Sequence, residues 1–294
     1  MHLLSILQEN SSFFLVITLL LGLAVGSFLN VVIYRLPKIL FQGWRAECRE
    51  LLELDTLETE QKLTLSSPSS SCPSCGHKIK PWENIPVLSY LLLRGKCSAC
   101  EANISLRYPL VELATGLLSV LVIAVLGFTP AGLTSLILLY VLIAASMIDI
   151  DHQILPDQLT LPMVWAGLLF NLYGVYTDLV SAVIGAMAGY LSLWSVYWLF
   201  KLLTGKEGMG YGDFKLLAVF GAWLGWQFLP QIILVSAIVG AIIGISMILI
   251  QGRDKNIPIP FGPYLAIAGF VALLYGEQIN RTYLQLAGIS SGTG

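Results

Sequence analysis

Between Leu113 and Ile148 the chain runs 36 residues without a charged side chain. As one helix, at a rise of about 1.5 Å per residue, this run would measure about 54 Å, against about 30 Å for the hydrocarbon core of a bilayer. It must therefore fold back on itself. Gly127-Phe128-Thr129-Pro130 lies near its middle and supplies the Gly and Pro that a helical hairpin needs. A second 36-residue uncharged run, Leu216 to Gln251, is interrupted at Gly225-Trp226-Gln227-Phe228-Leu229-Pro230 and reads as another hairpin. Phe13 to Tyr34 and the stretches 158–177, 179–200 and 257–276 each have the length of a single crossing. The expected fold is an all-α polytopic membrane protein of about eight transmembrane helices, with both termini on one side. With 56% hydrophobic residues, 12% charged residues and a mean hydropathy of +0.78, a soluble globular domain is excluded.

Orientation follows from the basic residues. With eight spans, segments 35–111, 149–157, 201–215 and 252–256 share a side and hold 15 of the 16 Lys and Arg; only Arg281 lies opposite. That side is expected to be cytoplasmic. Met1 to Ser12 has no Lys or Arg ahead of a long apolar run, so a retained helix is expected and not a cleavable signal peptide. A net charge of −2 with no concentrated basic face gives no reason to expect a nucleic-acid partner.

Three parts are expected: a first span at 1–35, a cytoplasmic insertion at 36–106, and a seven-span membrane domain at 107–294. The insertion is too small for a robust hydrophobic core and needs a staple. Cys72-Pro73-Ser74-Cys75 and Cys97-Ser98-Ala99-Cys100 provide two CxxC pairs with 21 residues between them, the pattern of a zinc ribbon. Two disulfides are the alternative, disfavoured in a reducing compartment. Four thiolates leave no open position for a catalytic water, so the zinc is expected to be structural. His77 and Cys48 are read as ordinary residues. Glu47 to Glu60, acidic and interleaved with Leu51, Leu52, Leu54 and Leu57, reads as an amphipathic helix with a solvated face, and 65–71 as a linker. The stretch from Trp82 to Lys96 is neither a clean span nor a clean strand. Trp82 suits an interfacial anchor, and Arg94-Gly95-Lys96 offers a candidate cofactor pocket at Gly95.

Asp149, Asp151 and Asp157 crowd one membrane boundary. An acid at the C-terminal end of a helix faces the negative end of the macrodipole, so helix stability does not account for Asp149 or Asp151. Ionisable groups at such positions usually mark a reaction site or a pathway. Asp213, in Gly210-Tyr211-Gly212-Asp213, suits an N-cap when taken alone. The topology, however, puts it on the same side as Asp149, where two carboxylates can converge.

Taken together, Gly26-Ser27-Phe28-Leu29-Asn30, Arg35-Leu36-Pro37, the cysteine pairs, Ile148-Asp149-Ile150-Asp151-His152 and Gly210-Tyr211-Gly212-Asp213-Phe214-Lys215 resemble the type IV prepilin peptidases over nearly the whole chain. The GxGD signature is also shared with presenilin-like intramembrane proteases. The resemblance implies an enzyme of the bacterial inner membrane with its active site facing the cytoplasm. It would remove basic leaders from type IV prepilins and pseudopilins after Gly, then N-methylate the new N-terminal residue from S-adenosylmethionine. It implies Asp149 and Asp213 as the catalytic pair, with zinc on Cys72, Cys75, Cys97 and Cys100. Pro258 to Pro263 would line the cleft or simply start a helix. An ion-coupled transporter is the alternative of a different class, but no internal repeat is visible and the aspartates lie at an edge instead of the midplane. A non-catalytic scaffold that docks through its zinc module leaves the helix-end aspartates without a purpose.

Overall fold

The computed structural model describes residues 11–54, 63–251 and 259–286. Eight helices of fourteen residues or more stand among them: α1 (Ser11–Leu51), α2 (Arg107–Leu126), α3 (Pro130–His152), α4 (Asp157–Leu172), α5 (Leu179–Thr204), α6 (Tyr211–Leu224), α7 (Leu229–Gln251) and α8 (Gly262–Leu286). Both expected turns are present. Gly127, at φ +70°, ends α2, and Thr129 caps α3 by accepting a hydrogen bond from the Gly132 N–H, with Pro130 in the first turn. Gly225, at φ +86°, ends α6, and one 3₁₀ turn, Trp226–Phe228, leads into α7.

The chain is a multi-pass membrane protein. By length and composition, α1, α2, α3, α5 and Trp226–Met247 suffice to cross a bilayer. The helices α4 (16 residues), α6 (14) and α8 stand where three further spans were expected but do not meet that measure, so five crossings among the described residues rest on length and composition, not the expected eight.

Two compact units divide the chain. The first comprises 1–128 and 135–144, the second 129–134 and 145–294. In the first, α1 and α2 approach at backbone distance: a Cβ on Gly22 would lie 2.8 Å from Gly116 Cα, and one on Gly26 would lie 2.7 Å from Glu112 Cα. This small-residue seam lets two apolar helices pack without hydrophobic driving force from lipid. The helix α1 does not stop at residue 35 but continues to Leu51, carrying Pro37 within it. Of the acidic helix expected at 47–60, residues 47–51 are the end of α1; Glu53 has φ +52°, and Asp55, Glu58 and Glu60 lie outside the described residues. Arg35 is buried on α1, where its guanidinium donates to the carbonyls of Thr64, Leu65 and Pro68 at 3.0, 3.3 and 2.7 Å. It thereby ties the Ser-rich linker to the helix.

In the second unit, α6 is the strut around which the others pack, with every residue from Leu216 to Leu224 buried. A Cβ on Gly221 would fall 2.0 Å from the Gly185 carbonyl oxygen of α5, so only glycine allows this contact. On α4, Asn171 donates to the carbonyls of Ala222 and Trp223 at 2.8 Å, satisfying the C-terminal end of α6, and the Trp223 indole donates to Met163 at 2.7 Å. A short, buried helix held on several sides fixes whatever its first turn carries.

Candidate active site and metal centre

Asp149 and Asp213 are both buried, at 5% and 6% exposure. Asp149 lies in the last turn of α3, which closes on Gln153 in the left-handed region, its N–H donating 2.8 Å to the Asp149 carbonyl. The Asp149 side chain reaches the start of α8, where its Oδ2 accepts the Gly262 N–H at 3.1 Å. That N–H belongs to the first turn of a helix and has no partner within it, so the carboxylate occupies the positive end of α8.

Asp213 is not the N-cap of α6. Gly210 holds that position without a side-chain bond, and Asp213 is the third helical residue, with Oδ2 3.8 Å from where a Gly210 Cβ would begin. Leu155, in the loop after α3, joins the two acids. A Cβ on Gly212 would meet its side chain at 2.6 Å, and one on Gly262 at 3.1 Å. The glycines of the GxGD motif and of α8 thus make room for one leucine beside both carboxylates.

Asp151 and Asp157 are exposed. Asp157 forms an ion pair with Lys215, linking the first residue of α4 to the second turn of α6. Of the three acids crowding the boundary, only Asp149 turns inward. Gly262 and Leu155 carry no chemical signature in the sequence, and Gly262 lies 113 residues from its partner; the reading of Pro258 to Pro263 came near it, although Pro258 is outside the described residues.

In the first unit, the Sγ atoms of Cys72, Cys75, Cys97 and Cys100 all lie within 4.8 Å of one another, with Cys72 and Cys100 3.8 Å apart. A tetrahedral ion with metal–sulfur bonds of about 2.3 Å requires sulfurs about 3.8 Å apart, so the four can hold zinc. The two knuckles have the same backbone plan. Cys72 N–H donates to His77 O and Gly76 N–H to Cys72 O; correspondingly Cys97 N–H donates to Ala102 O and Glu101 N–H to Cys97 O. Gly76 and Glu101 both take positive φ, and isolated bridges Ser71–Lys78 and Lys96–Asn103 close each loop. Backbone N–H groups of Ser74 and Cys75 bring the Cys72 thiol down to about 6. The Cys100 thiol, although the Ala102 backbone favours its ionised form, is pushed up to about 12 by the neighbouring Cys75 sulfur and burial. A divalent cation is the charge that lets four such neighbours all be thiolates.

Beyond the sulfurs the knuckles are clamped together. Glu83 accepts hydrogen bonds from the Lys80 N–H (2.9 Å) and the Ser98 hydroxyl (2.6 Å), and lies 3.2 Å from His77 Nε2. The Lys80 backbone bond, then Ser98 and His77, hold the Glu83 carboxyl down at about 2. The clamp is therefore complete above the ordinary carboxylate range and is lost only as pH falls through about 2. His77 is thus not an idle residue, and neither Glu83 nor Ser98 was visible as its partner from spacing. Gly95 has a backbone reason of its own, with φ +69°, and an added Cβ would lie 2.7 Å from the Tyr90 hydroxyl. Trp82 is 64% exposed on a 3₁₀ turn, Pro81–Asn84.

A family profile described as "Bacterial Peptidase A24 N-terminal domain" matches residues 20–126, and one described as "Type IV leader peptidase family" matches 136–245. Curated relatives named "Prepilin leader peptidase/N-methyltransferase" include one from Pseudomonas aeruginosa, 58% identical over 98% of this chain and 99% of its own length. Relatives of the same name from Aeromonas salmonicida (59% identical; 90% of this chain, 92% of its own) and Xanthomonas campestris (50%; 92% and 94%) extend the likeness. No solved structure matches. Near-complete coverage at this identity, with both profiles falling on the segments that carry the cysteines and the aspartates, means that the chain belongs to the type IV leader peptidase family.

Proposed function

We propose that this protein is a prepilin leader peptidase and N-methyltransferase that cuts basic leaders after Gly, with Asp149 and Asp213 as the catalytic pair. The observation that supports the peptidase chemistry is that two carboxylates are buried at helix starts whose glycines, Gly212 and Gly262, both abut Leu155, with exposed Asp151 and Asp157 left out. Two acids sharing such a site hold one proton between them. The ionised carboxylate removes a proton from water as its oxygen attacks the Gly carbonyl carbon, while the protonated one donates to the carbonyl oxygen. Collapse of the tetrahedral intermediate breaks the C–N bond and sends a proton to the leaving amine. All eight helices cross the bilayer in this reading, with the dyad at the cytoplasmic edge of a bacterial inner membrane. Prepilins and pseudopilins are the substrates, and zinc has a structural role on the four cysteines. Ion-coupled transport finds no support in these comparisons.

Methylation of the new N-terminal amine draws an electrophilic methyl group from S-adenosylmethionine when that donor is bound. The Arg94-Gly95-Lys96 turn, where Gly95 takes φ +69°, is the candidate place for that donor. The whole function is tested by incubating the detergent-solubilised protein and donor with a basic-leader pilin precursor. Mass analysis should show leader loss and then a methyl gain on the product. A precursor left at full mass would refute the peptidase assignment, and a cleaved but unmethylated product the transferase.

Gly262→Ala is expected to lower the cleavage rate by about 10²-fold with zinc content unchanged. A Cβ there would stand 2.7 Å from Asp149 Oδ2, and a displacement approaching 1 Å at a reacting group costs about that much. Single-turnover rates on a synthetic leader peptide check this, and a wild-type rate would show that the Gly262 contact does not position the acid.

A further inference from the structure

Leu155 lies against both helix starts that carry the aspartates, and the proton transfers of Asp149 and Asp213 give it no part. It stands in the short loop that joins α3 to α4, and both ends of that loop are fixed. Gln153, in the left-handed region, closes α3 on the Asp149 carbonyl. The buried Pro156 caps α4, its carbonyl accepting the Leu159 and Thr160 N–H groups at 3.0 and 3.1 Å. The ion pair between Asp157 and Lys215 then ties the same end of the loop to α6. A short connection anchored in this way leaves the Leu155 side chain little choice of place.

Two points define that place. The position that a Cβ on Gly262 would take lies 2.7 Å from Asp149 Oδ2 and 3.1 and 3.2 Å from Leu155 Cδ1 and Cδ2. The position that a Cβ on Gly212 would take, one residue before Asp213, lies 2.6 Å from Leu155 Cβ and 3.3 Å from its Cδ1. One branched side chain thus fills the space beside both acid-bearing turns, and two glycines let it stand there. Unlike the carboxylates, Leu155 is only half-buried, so a chain that approaches the acids meets it.

In hydrolysis the water oxygen attacks a carbonyl carbon, and the side chain of the residue that owns this carbonyl begins two bonds away. A substrate held with that carbonyl at Asp149 brings any such side chain to the Leu155 wall, and packed apolar atoms accept an added carbon only at a cost. Gly alone has no carbon to place there. We infer that Leu155 is the specificity-determining residue that confines cleavage to the position after Gly, by occupying the space that a larger side chain needs. This rests on the peptidase half of the proposed function.

The test uses the full, zinc-loaded chain in detergent and two precursors with identical basic leaders, one with Gly and one with Ala before the cut. Specificity is the ratio of the two kcat/KM values, and one added carbon against an apolar wall is worth about 10–200-fold. The wild type should favour Gly on that scale. Leu155→Ala should narrow the ratio by about tenfold or more, whatever it does to the absolute rates. Leu155→Val, which removes a single carbon, should narrow it less. A leucine that only packs would change both precursors in proportion. An unchanged ratio in Leu155→Ala, or in Leu155→Val should the Ala variant not fold, therefore overturns the assignment, and so does a wild type that cuts both precursors alike. A wild type that leaves the Gly precursor uncut refutes instead the peptidase reading beneath it.

Discussion

Asp149→Asn and Asp213→Asn are each expected to reduce leader cleavage by at least about 10²–10⁴-fold, the usual contribution of a positioned proton-transfer group, and in practice to background. Asn preserves the shape of the side chain and can still accept the Gly262 N–H, so α8 keeps its contact, but it cannot pass a proton to or from water. Loss of rate should therefore come without loss of membrane insertion or zinc. Asp151→Asn supplies the contrast: exposed on the same helical turn, it should retain activity within a few-fold of wild type. Rates on a basic-leader precursor at equal amounts of folded protein decide the matter. Full cleavage by either dyad variant would end the aspartyl protease assignment.

Removal of zinc is expected to unfold the cysteine module. Its two knuckles contribute turns, isolated bridges and the Glu83 clamp, but little buried apolar mass, whereas a four-thiolate site supplies about 10–16 kcal/mol of binding free energy at neutral pH. Elemental analysis should give one zinc per chain. Before chelation Cys72, Cys75, Cys97 and Cys100 should resist alkylation while exposed Cys48 reacts, and after chelation all five should react. Glu83→Gln should speed zinc loss to a competing chelator by about 10-fold or more, because it weakens the bonds to His77 and Ser98 that hold the knuckles in register. Protein that retains activity with no metal and with all five thiols equally reactive would overturn the zinc assignment.

The relation between these two sites and the amino-acid sequence differs. The four-cysteine cluster was legible because its members come as short-range pairs, Cys72 with Cys75 and Cys97 with Cys100, whose spacing is itself the knuckle geometry. What spacing did not convey was the clamp, since Glu83 reaches His77 six residues back and Ser98 fifteen residues on. The helices, too, were legible in outline. Uncharged run length fixes how many apolar helices the chain must form, and Gly127, Thr129 and Gly225 mark where hairpins turn. Helix ends were less so: α1 runs to Leu51 because nothing in Arg35-Leu36-Pro37 prevents it, Pro37 notwithstanding.

By itself the amino-acid sequence determined that the chain is a polytopic helical protein with a four-cysteine module and acids at helix ends, because hydrophobic run length and ligand spacing are local properties written along the chain. It also supplied a family resemblance that paired Asp149 with Asp213. Only the tertiary structure gave that choice a physical reason. Asp149 and Asp151 differ by two positions on one helix, so one faces inward to the N-terminus of α8 and the other faces out. Burial, the Gly262 hydrogen bond and Leu155 between the glycines all depend on which distant helices pack together, and packing is a property of the folded surface that no local spacing records.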